Sequence, residues 1–341
     1  MNLNQNAKSK LQMSPIVDTF GREHRSLRIS VTDRCNIRCF YCMPENVKFL
    51  PQDSILSFEE IHRVVEILAR QGVSRVRLTG GEPLVRSEIW NLVGLLKSIP
   101  GIDEVALTTN GILLVDQAAK LKGSGLDRIN VSLDSIGPEK FKEITRRDAL
   151  DKVLAGIDAA INAGFENLRI NAVAVKGISE TEVVPLVSWA QRQNLHLRFI
   201  EFMPLDGDQA WENQQVFTGA MLREIIEENF GSLTPVARDR SSQPATDFQV
   251  SNQGPPIGFI DSVTEPFCQS CDRMRITSEG KLRNCLFSTE EWDLKELIRS
   301  DASDEDIEKR IRLGIHHKKL GHGSNSGRFV RPERAMYQIG G

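Results

Sequence analysis

Residues 27–42 read LRISVTDRCNIRCFYC. Residues 27–31 are a short β-like run that ends at Thr32-Asp33, and Cys35, Cys39 and Cys42 follow at once as C-x3-C-x2-C. A loop at a strand's end thus carries a cluster of thiols. Downstream, Ser57 and Glu60 form a capping box, and Ile61, Val64, Val65, Leu68 and Ala69 recur on one face, which predicts a helix over 57–71. Residues 74–79 form the next strand, closed by Gly80-Gly81-Glu82-Pro83. An amphipathic helix over 87–98 follows. Residues 104–109, 128–133, 168–175 and 196–202 are further strands, each separated from the next by helix-length amphipathic sequence.

Six βα units emerge, which predicts an α/β fold of parallel strands in an open or partial barrel, with functional loops at the strands' C-terminal ends. An open doubly wound sheet is the alternative. Residues 232–256, rich in Ser, Gln, Pro and Asp, mark a boundary. The division expected is a tail over 1–24, a barrel over 25–235 and a C-terminal region over 236–341. Two short helices, 290–299 and 303–313, precede a basic tail with Lys318, Lys319, Arg328, Arg331 and Arg334, which by composition reads as frayed.

The chain holds six cysteines, and the other three form C-x2-C-x13-C: Cys268, Cys271 and Cys285. Each triplet stops one ligand short of a closed structural zinc site. A 4Fe-4S cube held by three thiolates keeps one iron open to a ligand that is not protein. Two disulfides with spare thiols remain possible, as do Cys3His zinc sites completed by some of His24, His62, His196, His316, His317 and His322.

Composition narrows the function classes. The 341 residues carry 43 Lys+Arg against 46 Asp+Glu, a net charge of -3, so no global positive field holds nucleic acid or an anionic membrane. No stretch offers the roughly 20 apolar residues of a bilayer span, so a soluble, cytoplasmic protein is expected, in which cysteines are ligands or catalytic thiols. No G-x-x-x-x-G-K-[ST] string occurs, so a nucleoside triphosphate would be met by discrete cations. Arg28, Arg77 and Arg169 lie in strands that feed the same mouth, and buried arginines call for anionic partners. In an extended segment Arg273 and Arg275 point to one side, beside the second triplet.

The strings FGREHRSLRISVTDRCNIRCFYCMPE, RLTGGEPL, TTNG, INVSLDS, RFIEFMP, FCQSCDRMRITSEGKLRNCLF and IGG resemble the radical S-adenosylmethionine (SAM) superfamily and, within it, the GTP 3′,8-cyclases of molybdenum cofactor biosynthesis. The resemblance covers about residues 20–341. It implies a partial (β/α)6 TIM-type barrel with a C-terminal iron-sulfur region, and a lyase that converts GTP to 3′,8-cyclo-7,8-dihydro-GTP after a 5′-deoxyadenosyl radical removes H3′. It implies two 4Fe-4S clusters, one on Cys35, Cys39 and Cys42 that binds SAM and one on Cys268, Cys271 and Cys285. Tyr41, Gly81, Ser132 and Met203 would line the SAM pocket. Arg28, Arg77, Thr108, Arg169, Arg273, Met274 and Arg275 would contact GTP, although Lys is more usual at the position of Arg169. Arg273, Arg275, Gly340 and Gly341 would assist catalysis, the last two from a tail that enters the site. An external one-electron donor and a homodimer are also implied. A radical SAM maturase of a peptide and a zinc-stabilised binding module are the rivals.

Overall fold

The computed structural model describes residues 15–251, 253–323 and 329–341; most of the expected N-terminal tail, and Arg328, lie outside these residues. β1 (Ser26–Ser30), β2 (Arg75–Thr79), β3 (Glu104–Thr109), β4 (Arg128–Ser132), β5 (Arg169–Ala174) and β6 (His196–Glu201) pair in parallel, each with the next. The connections are α1 (Phe58–Ala69), α2 (Ile89–Lys97), α3 (Leu114–Gly123), the pair α4 (Pro138–Thr145) and α5 (Leu150–Asn162), and α6 (Val183–Arg192), with α7 (Gly219–Phe230) after β6. The six βα units of the sequence reading are thus present. The capping box forms too: the Glu60 amide donates to Ser57 Oγ at 3.1 Å and the Ser57 amide to the Glu60 carboxylate at 2.7 Å.

The core lies between sheet and helices. Leu27, Ile29, Val76, Leu78, Leu107, Ile129 and Ile170 face outward and are buried against apolar positions of the helices, such as Val64, Leu68, Leu92 and Leu121. Because side chains alternate along a strand, Arg28, Arg77, Thr108, Asn130 and Asn171 face the other way, into the concave side. A closed small barrel fills its interior with apolar layers. Here the strand order runs β12-β11-β10-β1-β2-β3-β4-β5-β6-β9-β8-β7 without closing, so the interior stays open and polar.

Residues beyond β6 extend both edges of this sheet. β7 (Leu233–Pro235), β8 (Thr246–Val250) and β9 (Gln253–Ile260) form an antiparallel run whose last strand pairs in parallel with β6. The chain then crosses to the far edge, where β10 (Arg273–Ile276) pairs in parallel with β1, followed by antiparallel β11 (Lys281–Arg283) and β12 (Trp292–Asp293). Residues 232–256, read from composition as a boundary, contain β7, β8 and the start of β9, which continue the sheet beyond β6. The helix expected over 290–299 splits into β12 and α8 (Lys295–Arg299), because Trp292 pairs with Leu282 of β11. α9 (Asp304–His316) follows, capped by Ser303.

The frayed tail is also corrected. Lys318 is buried, Arg331 pairs with Asp206, and Arg334 pairs with Glu279 at 2.6 Å. α10 (Met336–Ile339) packs Tyr337 and Ile339 into two small apolar clusters. Local composition reports only the cations, whereas their partners lie far away in sequence.

Candidate active site

The concave face encloses a cavity of about 350 Å³. Its lower wall is a layer of guanidiniums from the first halves of the strands, and its rim is the strands' C-terminal loops. These guanidiniums lie inside the half-barrel, below the mouth that their strands feed. Register explains their crowding: Arg28 stands beside Arg77 on one side and beside Arg275 on the other.

Some of these cations are neutralised. Arg75 pairs with Asp272 at 2.5 Å, Arg128 with Glu104, and Arg198 with Asp247 at 3.4 Å. Among the described residues no carboxylate pairs with Arg28, Arg77, Arg169 or Arg273; Arg77 reaches only the Thr108 hydroxyl, at 3.3 Å, and Arg273 stacks 4.5 Å above the Phe267 ring. Arg169 Nε and Arg273 Nη2 are buried without a hydrogen-bond partner. Burial, then the charges of Arg275, Arg273 and Arg77, push the pKa of Arg28 well below its usual value, and burial with Arg128 brings Arg77 to about 9. A guanidinium keeps its proton, so these shifts reflect charges held out of water, with neighbouring cations adding to the cost. Such a wall suits a polyanion.

The first thiol triad lines the rim. The Cys42 and Met43 amides donate to the Cys39 carbonyl at 2.9 and 3.0 Å, which curls the loop, and the Arg38 guanidinium holds the Cys35 carbonyl at 2.7 Å. Gly80 and Gly81 cross directly over this loop: Gly81 donates to the Thr32 carbonyl at 2.8 Å, and a Cβ at either glycine would strike the backbone of residues 32–34. Burial pushes the thiols up, Cys35 to about 11 and Cys42 to about 12. They would ionise only against a bound cation. Asn110 Nδ2 lies 3.8 Å from Cys35 Sγ, and the Tyr337 amide donates to the Cys42 sulfur.

The second triad, Cys268, Cys271 and Cys285, sits behind Phe267, Arg273 and Leu286 of the cavity wall. Burial raises the Cys271 pKa, but the charges of Arg273 and Lys318 outweigh it, and the thiol falls to about 7. All six cysteines are free thiols, so the disulfide reading fails here. Among the described residues no three His, Cys, Asp or Glu side chains converge as one metal ion requires, and His24 and His196 are committed to Asp18 and Asp247, each at 3.2 Å. A cube in which each thiolate binds its own iron needs no such convergence. Three free thiols in each set fit the three-thiolate coordination of a 4Fe-4S cube.

The other expected residues fall on the same cavity with two exceptions. Tyr41, Gly81, Ser132, Met203, Thr108 and Gly341 line it, while Arg275 donates to the Gly340 carbonyl at 2.5 Å from beneath. Met274 points away, fully buried in the main core, as alternation between Arg273 and Arg275 requires. Gly340 itself packs on Ser30 and Thr79 at the ends of β1 and β2.

Sequence reasoning placed residues 80–83 and 132–134 at the mouth but gave several participants no role of their own. Asp134 accepts from the Tyr41 hydroxyl at 2.5 Å and from the Val173 amide at 2.7 Å. Glu82, buried beside the first triad, accepts from Thr109 Oγ1 at 2.7 Å and from the Asn110 amide at 2.6 Å, and burial lifts its pKa to about 7. Both lie within the quoted motif strings, as does Arg198, and strand-end position was a usable signal. For Lys318 no local signal exists.

Comparison with known proteins follows the same outline. The family profile described as "Radical SAM superfamily" matches residues 29–190, and the one described as "Molybdenum Cofactor Synthesis C" matches residues 195–324. A GTP 3′,8-cyclase of Rhodopirellula baltica is 48% identical over 330 residues, covering 96% of this chain and 92% of its own. That of Paenarthrobacter nicotinovorans is 44% identical, covering 96% and 97%. Among solved structures, Streptococcus suis SuiB bound to S-adenosylmethionine superposes with a TM-score of 0.61 at 17% identity, covering 86% of this chain and 68% of that one. SuiB bound to the precursor peptide SuiA gives 0.65 at 17%, covering 90% and 75%. At that identity the likeness to SuiB extends to the fold alone.

Proposed function

Because the chain belongs to the GTP 3′,8-cyclase family of radical SAM enzymes, we infer that its cavity seats GTP and SAM together, the triphosphate on the guanidinium wall and SAM at the rim. The enzyme converts GTP to 3′,8-cyclo-7,8-dihydro-GTP, the first step of molybdenum cofactor biosynthesis. The single observation that supports this assignment of sites is the cavity's polarity: unpaired Arg28, Arg77, Arg169 and Arg273 on its wall, and a thiol triad with its glycine-cradled loop at its rim.

Cys35, Cys39 and Cys42 would hold one 4Fe-4S cluster and Cys268, Cys271 and Cys285 a second. When bound, the first cluster and SAM supply a 5′-deoxyadenosyl radical that can take hydrogen from ribose C3′. What the chain's own residues add is position. Arg28, Arg77 and Arg169 offer charge-assisted hydrogen bonds to phosphate oxygens, and Thr108 borders them. Arg273 and Arg275 on β10 lie between that wall and the second triad, where they would orient the base. Gly81, Tyr41, Ser132 and Met203 border the SAM end, with Tyr41 fixed by Asp134. The tail covers the cavity from Met336 to Gly341, so it would exclude water and hold C3′ near the radical. The enzyme is further read as a cytoplasmic homodimeric lyase that takes electrons from an external one-electron donor. No helix among the described residues is long and apolar enough to cross a membrane.

Anaerobic incubation of iron-reconstituted protein with SAM, dithionite and GTP tests this reading. GTP-dependent 5′-deoxyadenosine together with the cyclised nucleotide is expected. Deoxyadenosine that forms only with a peptide substrate would move the assignment to a maturase.

A further inference from the structure

The segment after α9, outside the recognised motifs, carries a buried ammonium. Lys318 is 4% exposed, and its Nζ lies 2.7 Å from the Arg273 carbonyl oxygen, 3.3 Å from the Cys271 carbonyl oxygen and 3.7 Å from Cys271 Sγ. An ammonium has three protons to donate and no acceptor. Two carbonyls and a sulfur take all three, so the geometry is that of the charged form. Among the described residues no carboxylate pairs with Lys318; burial and the charges of Arg22 and Arg273 oppose its charged form, and the sulfurs of Cys271 and Cys285 favour it. A buried cation without an anion destabilises a fold. The ammonium is therefore placed for negative charge carried on these sulfurs, Cys271 nearest.

A dedicated clamp keeps the ammonium there. Residues 17 and 23 bridge as a small hairpin, and within it Asp18 anchors Arg22 Nε at 2.6 Å. The Arg22 guanidinium then donates to the Cys268 carbonyl at 2.7 Å, the Lys319 carbonyl at 2.8 Å and the Leu320 carbonyl at 3.1 Å. One side chain thus ties the second cysteine loop to the segment that bears Lys318. The same segment sends the His322 amide to the Cys268 sulfur, and the Arg273 amide donates to that of Cys271. Hydrogen bonds and charges around ligand sulfurs orient them and set a cluster's potential.

We propose that Lys318 is the counter-charge of the second cysteine triad, a positioning residue that orients Cys271 and raises the reduction potential of the cluster held there. This rests on the reading of Cys268, Cys271 and Cys285 as cluster ligands. A positive charge at this distance favours the more negative, reduced state of the cluster. The same charge disfavours the empty protein, so its removal has opposite signs in the two forms.

The test compares wild type with Lys318→Met, apolar and of similar length, and Lys318→Arg, which keeps the charge. Iron and sulfide content, potentiometric titration followed by electron paramagnetic resonance, and thermal unfolding of the cluster-free protein are measured. Wild type should hold about eight irons per chain. Lys318→Met should shift the second cluster to lower potential, leave the first unmoved, and unfold in the cluster-free form no earlier than wild type; Lys318→Arg should stay near the wild-type potential. About eight irons with an unshifted potential in Lys318→Met would overturn the role of Lys318 alone, as would equal destabilisation of both forms, the mark of mere packing. A wild-type content near four irons would instead overturn the second cluster and this role with it.

Discussion

Replacing Gly340 by alanine should release the tail from the cavity while leaving the sheet and both thiol triads in place. Gly340 has φ +86°, and an added Cβ would lie 2.5 Å from Thr79 Oγ1 and 3.0 Å from Ser30 Cβ. Neither neighbour yields easily: the Thr79 hydroxyl donates to the Ile29 carbonyl at 3.2 Å, and Ser30 Cβ is fixed to β1. A side chain at positive φ costs about 1–2 kcal/mol. Overpacking adds about 1–3 kcal/mol. The sum of about 2–5 kcal/mol shifts the docked tail toward release by about 30-fold to a few thousand-fold. Arg275 would lose its acceptor, and the Tyr337 amide would leave the Cys42 sulfur. Hydrogen-deuterium exchange over residues 335–341 reads the release, and GTP-dependent 5′-deoxyadenosine and cyclised product read its consequence, at unchanged iron content. Wild-type protection of that segment in Gly340→Ala, or undiminished product, would refute the reasoning.

Arg28→Met should raise the KM for GTP by about 10- to 150-fold, the value of one charge-assisted hydrogen bond, while the ligand-free protein melts no earlier because an unpaired buried charge is gone; steady-state kinetics and calorimetry read the two effects. Arg169→Lys keeps the charge and loses only the planar fork, so a change in KM under about tenfold is expected, and a larger one would show that bidentate geometry matters there. His24 is buried with Nε2 on Asp18 and Nδ1 unpartnered, and burial followed by the charge of Lys318 lowers its pKa to about 4. The unfolded chain then binds the extra proton between about pH 6.5 and pH 4, so stability is full above that window and is lost as pH falls through it, by at most on the order of 3 kcal/mol; His24→Gln should flatten that part of a pH series of urea midpoints. Serine at Cys268, Cys271 and Cys285 together should lower iron to about four per chain with the SAM-binding cluster still detectable by its spectrum.

The legible parts were those whose signal is local. Ser57 and Glu60 announce a helix because their capping bonds span three residues, and the six βα units follow from periods of two and 3.6 along the chain. The placement of Cys35, Cys39 and Cys42 on one short loop after β1 is legible for the same reason. The segment over 233–260 and the tail were misread because their character depends on neighbours: β8 and β9 lie between β6 and the short edge strand β7, and Tyr337 and Arg334 find their partners in Met43 and Glu279, far away in sequence.

From sequence alone came the strand-then-thiol architecture, the arginines as candidates for an anion, and the family resemblance. Tertiary structure decided which of those arginines lack a partner, since Arg28 meets Arg275 through a pairing of β1 with β10 that joins residues far apart in the chain, while Asp272 is used up by Arg75. It also decided that Lys318 belongs to Cys271 and Tyr337 to Cys42. Whether a buried charge is neutralised depends on which groups approach within a few ångströms, and that distance is set by sheet register and chain crossing, to which no short window of sequence is sensitive.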